Sequence, residues 1–205
     1  KVPLTDAARA LQFVRSKKAA WHLDTNRIVA AGGSAGACTS LWLAFHDEMA
    51  DPISDDPIAR ESTRLTAVAV SGAQTTLDPK QMKEWTPNSH YGAHAFGIPI
   101  LALENDRRTG RFTRFLESRA SLMPWIEEYS PYALVTADDP PVYMTYNNKP
   151  ALGHDAKDPT HSANFGIKLK ERLDSVKVPC ELVYPDAPDV QHPNLSDAVI
   201  GFLIP

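Results

Sequence analysis

Five consecutive residues, Gly32-Gly33-Ser34-Ala35-Gly36, fit the pattern Gly-x-Ser-x-Gly. The pattern is short, but its setting is specific. It lies between a short apolar run, residues 27–31, and the start of a helical stretch, the context in which a serine hydroxyl is raised off the end of a strand as a nucleophile. Such a serine holds a strained backbone conformation, and side chains two residues before and after it would collide, which marks Gly32 and Gly36 as the elbow glycines. The helix that follows points its first N–H groups at the same spot. The N–H of Ala35 is therefore an expected oxyanion donor for the negative charge of a tetrahedral intermediate. A phosphate-cradling turn is the competing reading, and it is poorly served: neither Gly-x-Gly-x-x-Gly nor a P-loop lysine is present.

A serine nucleophile needs a base, and the base needs an orienting acid. In the chain order that goes with this elbow, the acid follows a late strand and the histidine follows the last one. The last predicted strand ends near Tyr184-Pro185, and His192, in Gln191-His192-Pro193, is the only histidine beyond it. For the acid, the loop after Tyr146 offers Asp158, immediately before Pro159 and the next helix, with Asp155 as the alternative. His154 and His161 stand beside them. Read as a metal cluster, these four residues fit no His-Glu-x-x-His or facial-triad spacing, so no metal and no cofactor is expected. Asp138-Asp139-Pro140 precedes its strand, at the wrong end for catalysis, and reads as a solvated turn.

The elements that must position these residues alternate between helix and short apolar strand, the pattern of an α/β sheet built largely from parallel strands. Helices are expected over 6–20, 37–49, 114–129, 163–176 and 195–203. Strands are expected over 27–31, 65–70, 141–146 and 179–184, the first of them buried on both faces. Residues 75–132 lack a clean period and read as an inserted cap or lid within a single domain spanning 1–205. Their aromatics, including Trp85, Phe112 and Trp125, could line an apolar pocket or fill the insertion's own core.

Composition narrows the partners. The 205 residues are 43% apolar and 22% charged, the balance of a chain with a real core. A net charge of −4, with 21 Lys and Arg spread along the sequence, argues against a nucleic-acid partner. No apolar run approaches the roughly 20 residues of a membrane span. Cys38 and Cys180 are too few for a disulfide framework and leave the compartment open.

The stretch Asp24-Thr25-Asn26-Arg27-Ile28-Val29-Ala30-Ala31 leading into the elbow resembles the α/β-hydrolase carboxylesterases of the esterase/lipase (acetyl esterase, BD-FAE-like) group. Tyr129-Ser130-Pro131, Ala137-Asp138-Asp139-Pro140-Pro141-Val142 and Asp158-Pro159 resemble later segments of the same group. The resemblance implies an α/β-hydrolase fold, a parallel sheet flanked by helices with a helical cap. It also implies hydrolysis of a small-molecule carboxylic ester through an acyl-enzyme, with Ser34, Asp158 and His192 as the catalytic residues. Three departures stand out. Asp158 is displaced by an insertion containing Lys149-Pro150-Ala151-Leu152-Gly153. His192 lacks flanking glycines. No His-Gly-Gly-Gly-like loop or earlier strands are present, so the chain reads as the C-terminal portion of a longer hydrolase, with a partner segment completing the sheet. An inactive, ligand-binding derivative and a peptidase or acyltransferase on the same scaffold are the alternatives.

Overall fold

In the computed structural model, which describes residues 2–101 and 107–203, the four apolar runs become four parallel strands lying side by side in chain order. They are β1 (Val29–Gly33), β2 (Ala67–Ser71), β3 (Val142–Thr145) and β4 (Cys180–Val183). Gly33 stands opposite Ser71, Ser71 opposite Thr145, and Thr145 opposite Val183, so the carboxyl ends are level. The ladder runs one residue further, through Ser34 N–H to Ser71 O at 3.0 Å and Gly72 N–H to Thr145 O at 2.8 Å. That level edge is where open parallel sheets place ligands.

Alternation along the strands divides the core in two. Val68, Val70, Val142 and Met144 point into the larger cluster, where α3 (Ala35–Phe45) brings Leu41, Trp42 and Phe45 and α8 (Ala163–Ser175) brings Phe165, Leu169 and Leu173. Ala69 and Tyr143 point the other way, onto Ala198 of α9 (Leu195–Leu203). Strand β2 is buried from Ala67 to Val70, as an interior strand must be, but β1 is not. The expectation that β1 is buried on both faces fails because β1 stands at the sheet edge and pairs with β2 alone among the described strands.

The expected first helix divides into α1 (Val2–Ser16) and α2 (Lys18–Trp21). Between β2 and β3 the chain makes α4 (Pro79–Trp85), α5 (Arg107–Glu117), α6 (Arg119–Tyr129) and α7 (Pro131–Leu134). The single helix expected over 114–129 is two, broken at Ser118. The neck of this insertion is pinned by Tyr132 N–H to Thr75 O at 2.8 Å and by Leu77 N–H to Ser130 Oγ at 2.9 Å. Asp78 caps α4 through Lys80 N–H at 2.8 Å and takes both arms of Arg119, at 2.7 and 2.6 Å, joining α4 to α6. Burial pushes the Asp78 carboxyl up, but the Arg119 fork and its backbone donors outweigh that and hold it below the usual range. Trp85, Phe112 and Phe115 are buried here, so these rings make core and not pocket wall. Trp42 ties the insertion down by donating from Nε1 to Glu128 O at 2.9 Å.

At the β1–α3 corner a Cβ on Gly32 would lie 2.6 Å from the backbone C and O of Gly36, whereas a Cβ on Gly36 would meet nothing within 4 Å. The elbow thus needs glycine at 32 for contact reasons and not at 36, contrary to the symmetric expectation. Gly32→Ala should therefore unfold the corner and abolish soluble expression or cooperative melting. Gly36→Ala should leave the melting temperature unchanged or raise it, alanine being about 1 kcal/mol better than glycine inside a helix.

The Asp138-Asp139 turn is not uniformly solvated. Asp138 is exposed beside Arg64, whereas Asp139 is 7% exposed and accepts from Thr136 N–H at 2.7 Å. Burial pushes the Asp139 carboxyl up to about 6, against the pull of its Thr136 hydrogen bonds. A group that holds its proton to higher pH when folded disfavours the fold progressively as pH rises from about 4 through 6. Asp139→Asn, whose carbonyl still accepts from Thr136, should raise the melting temperature at pH 7.5 by about 2–4 °C per kcal/mol recovered. The gain should vanish at pH 4; a gain that persists there would contradict this account.

Candidate active site

Ser34 sits between β1 and α3 with φ 52 and ψ −118, a left-handed conformation that a residue with a side chain adopts only under constraint. The constraint is local: its N–H is held by Ser71, its carbonyl accepts from Cys38 N–H at 3.0 Å, and the Gly32–Gly36 contact closes the corner beneath it. Ala35 is the first residue of α3, where a helix leaves its N–H groups without intrahelical acceptors.

The Ser34 Oγ lies 2.9 Å from Nε2 of His161, and His161 Nδ1 lies 2.9 Å from Oδ2 of Asp158. A carboxylate there accepts from Nδ1–H, which leaves Nε2 with its lone pair toward the serine. The other oxygen of Asp158 accepts from His161 N–H at 3.3 Å, so one carboxylate holds both the ring and the backbone of the histidine. Burial pushes the Asp158 carboxyl up, but the His161 hydrogen bond and charge, with the backbone donors of His161 and Thr160, outweigh it and leave it below the ordinary range. It is therefore ionised at neutral pH.

Three amide side chains fix the loop that carries this pair. Gln74 donates to Thr160 O at 2.8 Å. Asn88 bonds both ways with Ala156, at 2.9 and 3.0 Å. Asn164, wholly buried, accepts from Ala151 N–H at 2.7 Å and donates to Trp85 O at 2.7 Å. Gly72, at the end of β2 with φ +59, lies against the imidazole: a Cβ there would be 3.4 Å from His161 Cδ2. Ser34, Asp158 and His161 face a cavity of about 290 Å³ that Gly33, Ser71, Gly72, Asn147 and Asn148 also line.

Of the residues singled out in the sequence, Ser34 and Asp158 are brought together, but the histidine between them is His161 and not His192. His192 donates from Nδ1 to Glu181 Oε2 at 2.7 Å, while the N–H groups of Gln191 and His192 donate to Glu181 Oε1 at 2.8 and 2.7 Å. Its Nε2 abuts Gly201 of α9, and its carbonyl accepts from Tyr143 at 3.0 Å. The reason is topological. Strand β4 is three strands from β1, roughly 14 Å at ordinary spacing, and the loop after it folds back onto Glu181. Asp155 is exposed on the same loop as Asp158 and is not the carboxylate at the imidazole. His161 was legible as the fourth residue of Asp158-Pro159-Thr160-His161, where a turn brings i and i+3 together. Gly72, Gln74 and Asn164 gave no sequence signal. Burial pushes the thiols of Cys38 and Cys180 up to about 12, so neither is a thiolate nucleophile at neutral pH. Among the described residues, no three His, Cys, Asp or Glu side chains gather as metal ligands.

Several solved structures share the fold. A crystal structure of an acetyl ester-xyloside bifunctional hydrolase from Caldicellulosiruptor lactoaceticus is 20% identical, with 89% of this chain covering 54% of that one at a TM-score of 0.60. A truncated carbohydrate esterase from gut microbiota is 15% identical, with 97% of this chain covering 66% of that one, also at 0.60. The butyrate-bound thermophilic esterase Est2 of the Planctomycetes species Thermogutta terrifontis is 21% identical, with 88% of this chain covering 53% of that one at 0.53. The chain thus spans about half to two thirds of the length of these structures. No curated protein sequence matches it. The BD-FAE family model matches residues 2–157, a span that holds the elbow and stops one residue short of Asp158. With a parallel sheet, flanking helices and a family match over most of its length, this chain has the α/β-hydrolase fold and belongs to the BD-FAE family.

Proposed function

We propose that this chain hydrolyses carboxylic esters through an acyl-enzyme, with Ser34 as nucleophile, His161 as general base and acid, and Asp158 as the orienting carboxylate. The observation that carries the reading is the pair of 2.9 Å contacts joining Ser34 to His161 and His161 to Asp158 at the carboxyl edge of the sheet. As Ser34 Oγ bonds to the ester carbonyl carbon, its proton passes to Nε2 of His161, and Asp158 stabilises the resulting imidazolium. The carbonyl oxygen becomes an oxyanion, for which the Ala35 N–H at the start of α3 is the assigned donor. Collapse breaks the bond to the alcohol, which leaves with the proton from His161. Water then repeats the sequence and releases the carboxylic acid. The amides of Asn147 and Asn148, which line the same cavity, are donors available to polar parts of the substrate. An acetyl ester-xyloside hydrolase and a carbohydrate esterase among the structural relatives favour an acylated carbohydrate as substrate. Residues 75–132 serve as the cap of a single hydrolase unit.

The histidine assignment separates this reading from the one based on chain order. With an aryl acetate, Ser34→Ala and His161→Gln should each lower kcat/KM by roughly 10³-fold or more. His192→Gln should lower it less than tenfold. The reverse pattern, with His192 essential and His161 dispensable, sinks the assignment, and failure of an organophosphonate probe to label Ser34 sinks the nucleophile.

A further inference from the structure

After β2 the chain runs through residues 73–78, which are buried although they belong to no strand or helix. Backbone groups buried in this way need partners other than water, and side chains supply several of them. Ala73 O accepts from the Tyr146 hydroxyl at 2.9 Å, and Thr75 Oγ1 donates to Phe165 O at 2.9 Å. The residues on either side of Gln74 are thereby tied to the end of β3 and to α8. Gln74 itself is wholly buried, and its Nε2 donates to Gly72 O at 3.2 Å and to Thr160 O at 2.8 Å. Two carbonyl oxygens at one atom are served by an NH2 and not by an oxygen, so they fix which way the amide faces. Its Oε1 is buried and has no hydrogen-bond partner among the described residues. An orphaned buried acceptor is costly, and this one is tolerated for what the other end of the amide holds.

That end holds the link between Asp158 and His161. Of the three amides on this loop, Asn88 meets Ala156 and Asn164 meets Ala151, whereas Gln74 meets Thr160, the residue before the histidine. A ring of short links closes through it. Ser34 N–H bonds Ser71 O at 3.0 Å, Ser71 is followed by Gly72, and Gly72 O shares Nε2 of Gln74 with Thr160 O. Thr160 is followed by His161, whose Nε2 returns to Ser34 Oγ at 2.9 Å. Apart from chain bonds, the β1–β2 ladder and the proposed reacting contact, the Gln74 amide is the one bridge in that ring. We propose that Gln74 is a positioning residue: acting through the Thr160 carbonyl, it sets the distance between Ser34 Oγ and His161 Nε2. The inference rests on the ester-hydrolase reading above and adds to it a residue that touches neither the ester nor the reacting atoms.

The test uses the full chain and an aryl acetate. Gln74→Met and Gln74→Leu keep the bulk and lose the donor; a displacement of about 1 Å costs up to about 10²-fold, so each should lower kcat by about tenfold or more. Because His161 serves acylation and deacylation alike, both steps slow together and KM should stay within about twofold. Thr76→Val, which removes the neighbouring hydrogen bond from Thr76 Oγ1 to Gln81 Oε1, is the control for loosening of the same segment. It should lower the melting temperature and leave kcat within about twofold. A smaller loss in the Gln74 variants, a loss that falls on KM, or a loss matched by Thr76→Val overturns the proposal. So does failure of both Gln74 variants to melt cooperatively above the assay temperature, since the amide then props the fold and not the pair; if one variant folds, it decides. Spectra of 15N-histidine-labelled protein read the same contact without substrate. With the ring neutral, the His161 Nε2 resonance, assigned through His161→Gln, should move in the Gln74 variants in the direction it moves in Ser34→Ala, and an unmoved resonance also overturns the proposal. If the unaltered chain hydrolyses no ester, the hydrolase reading fails instead, and the spectra alone judge whether Gln74 sets the distance.

Discussion

The corner between β1 and α3 closes on a gap too small for a side chain, and the geometry of the serine follows from that. With a Cβ at residue 32 standing 2.6 Å from the Gly36 backbone, the strand could not turn so sharply into the helix. With hydrogen there, the backbone of Ser34 is driven to positive φ and its hydroxyl stands clear of both elements. Such strain persists only where the surroundings over-determine it. Here the β1–β2 ladder grips one side of the corner, and the other is the buried face of α3, where Leu41, Trp42 and Phe45 are almost wholly removed from water.

The level carboxyl ends of the four strands place the loops, and side-chain amides, two of them buried, then fix the one that carries Asp158. Gln74, Asn88 and Asn164 each satisfy backbone groups of residues 151–160, a segment with no regular structure of its own. Besides His46 with Glu128, two histidine–carboxylate pairs of similar chemistry stand among the described residues, His161 with Asp158 and His192 with Glu181. Among the described residues, only the His161 ring hydrogen-bonds a side-chain hydroxyl, that of Ser34. The second uses both oxygens of Glu181 to hold residues 191 and 192 onto β4, with the imidazole against Gly201 of α9, so position and not residue type separates a pair that meets the serine from one that does not.

Much of this was readable in the residues. All four strands fall within two residues of their expected starts and ends, because short apolar runs bounded by turn formers leave few alternatives. Ser34 was legible because strand, glycine and helix meet there. Asp158 was legible because it precedes a proline at a helix entrance. Chain order alone does not reach His161, because it says nothing about where a loop folds once its strand ends, whereas the four-residue spacing from Asp158 does. The break at Ser118 and the burial of Asp139 depend on packing between distant segments, which no local pattern records. The collision expected of both elbow glycines belongs to Gly32 alone, because a Cβ at 32 would strike the Gly36 backbone whereas one at 36 would meet nothing within 4 Å.

Asp158 and His161 are separated by a single Pro-Thr dipeptide. Imidazole and carboxylate therefore sit on one short turn, and the contact between them is closed within four residues rather than through the strands behind. The only separation left to adjust is the gap to the serine, a lone mechanical coordinate set by how firmly the turn is clasped from beneath. On the proposed mechanism, the last strand and the helix after it can accordingly diverge without detuning the relay.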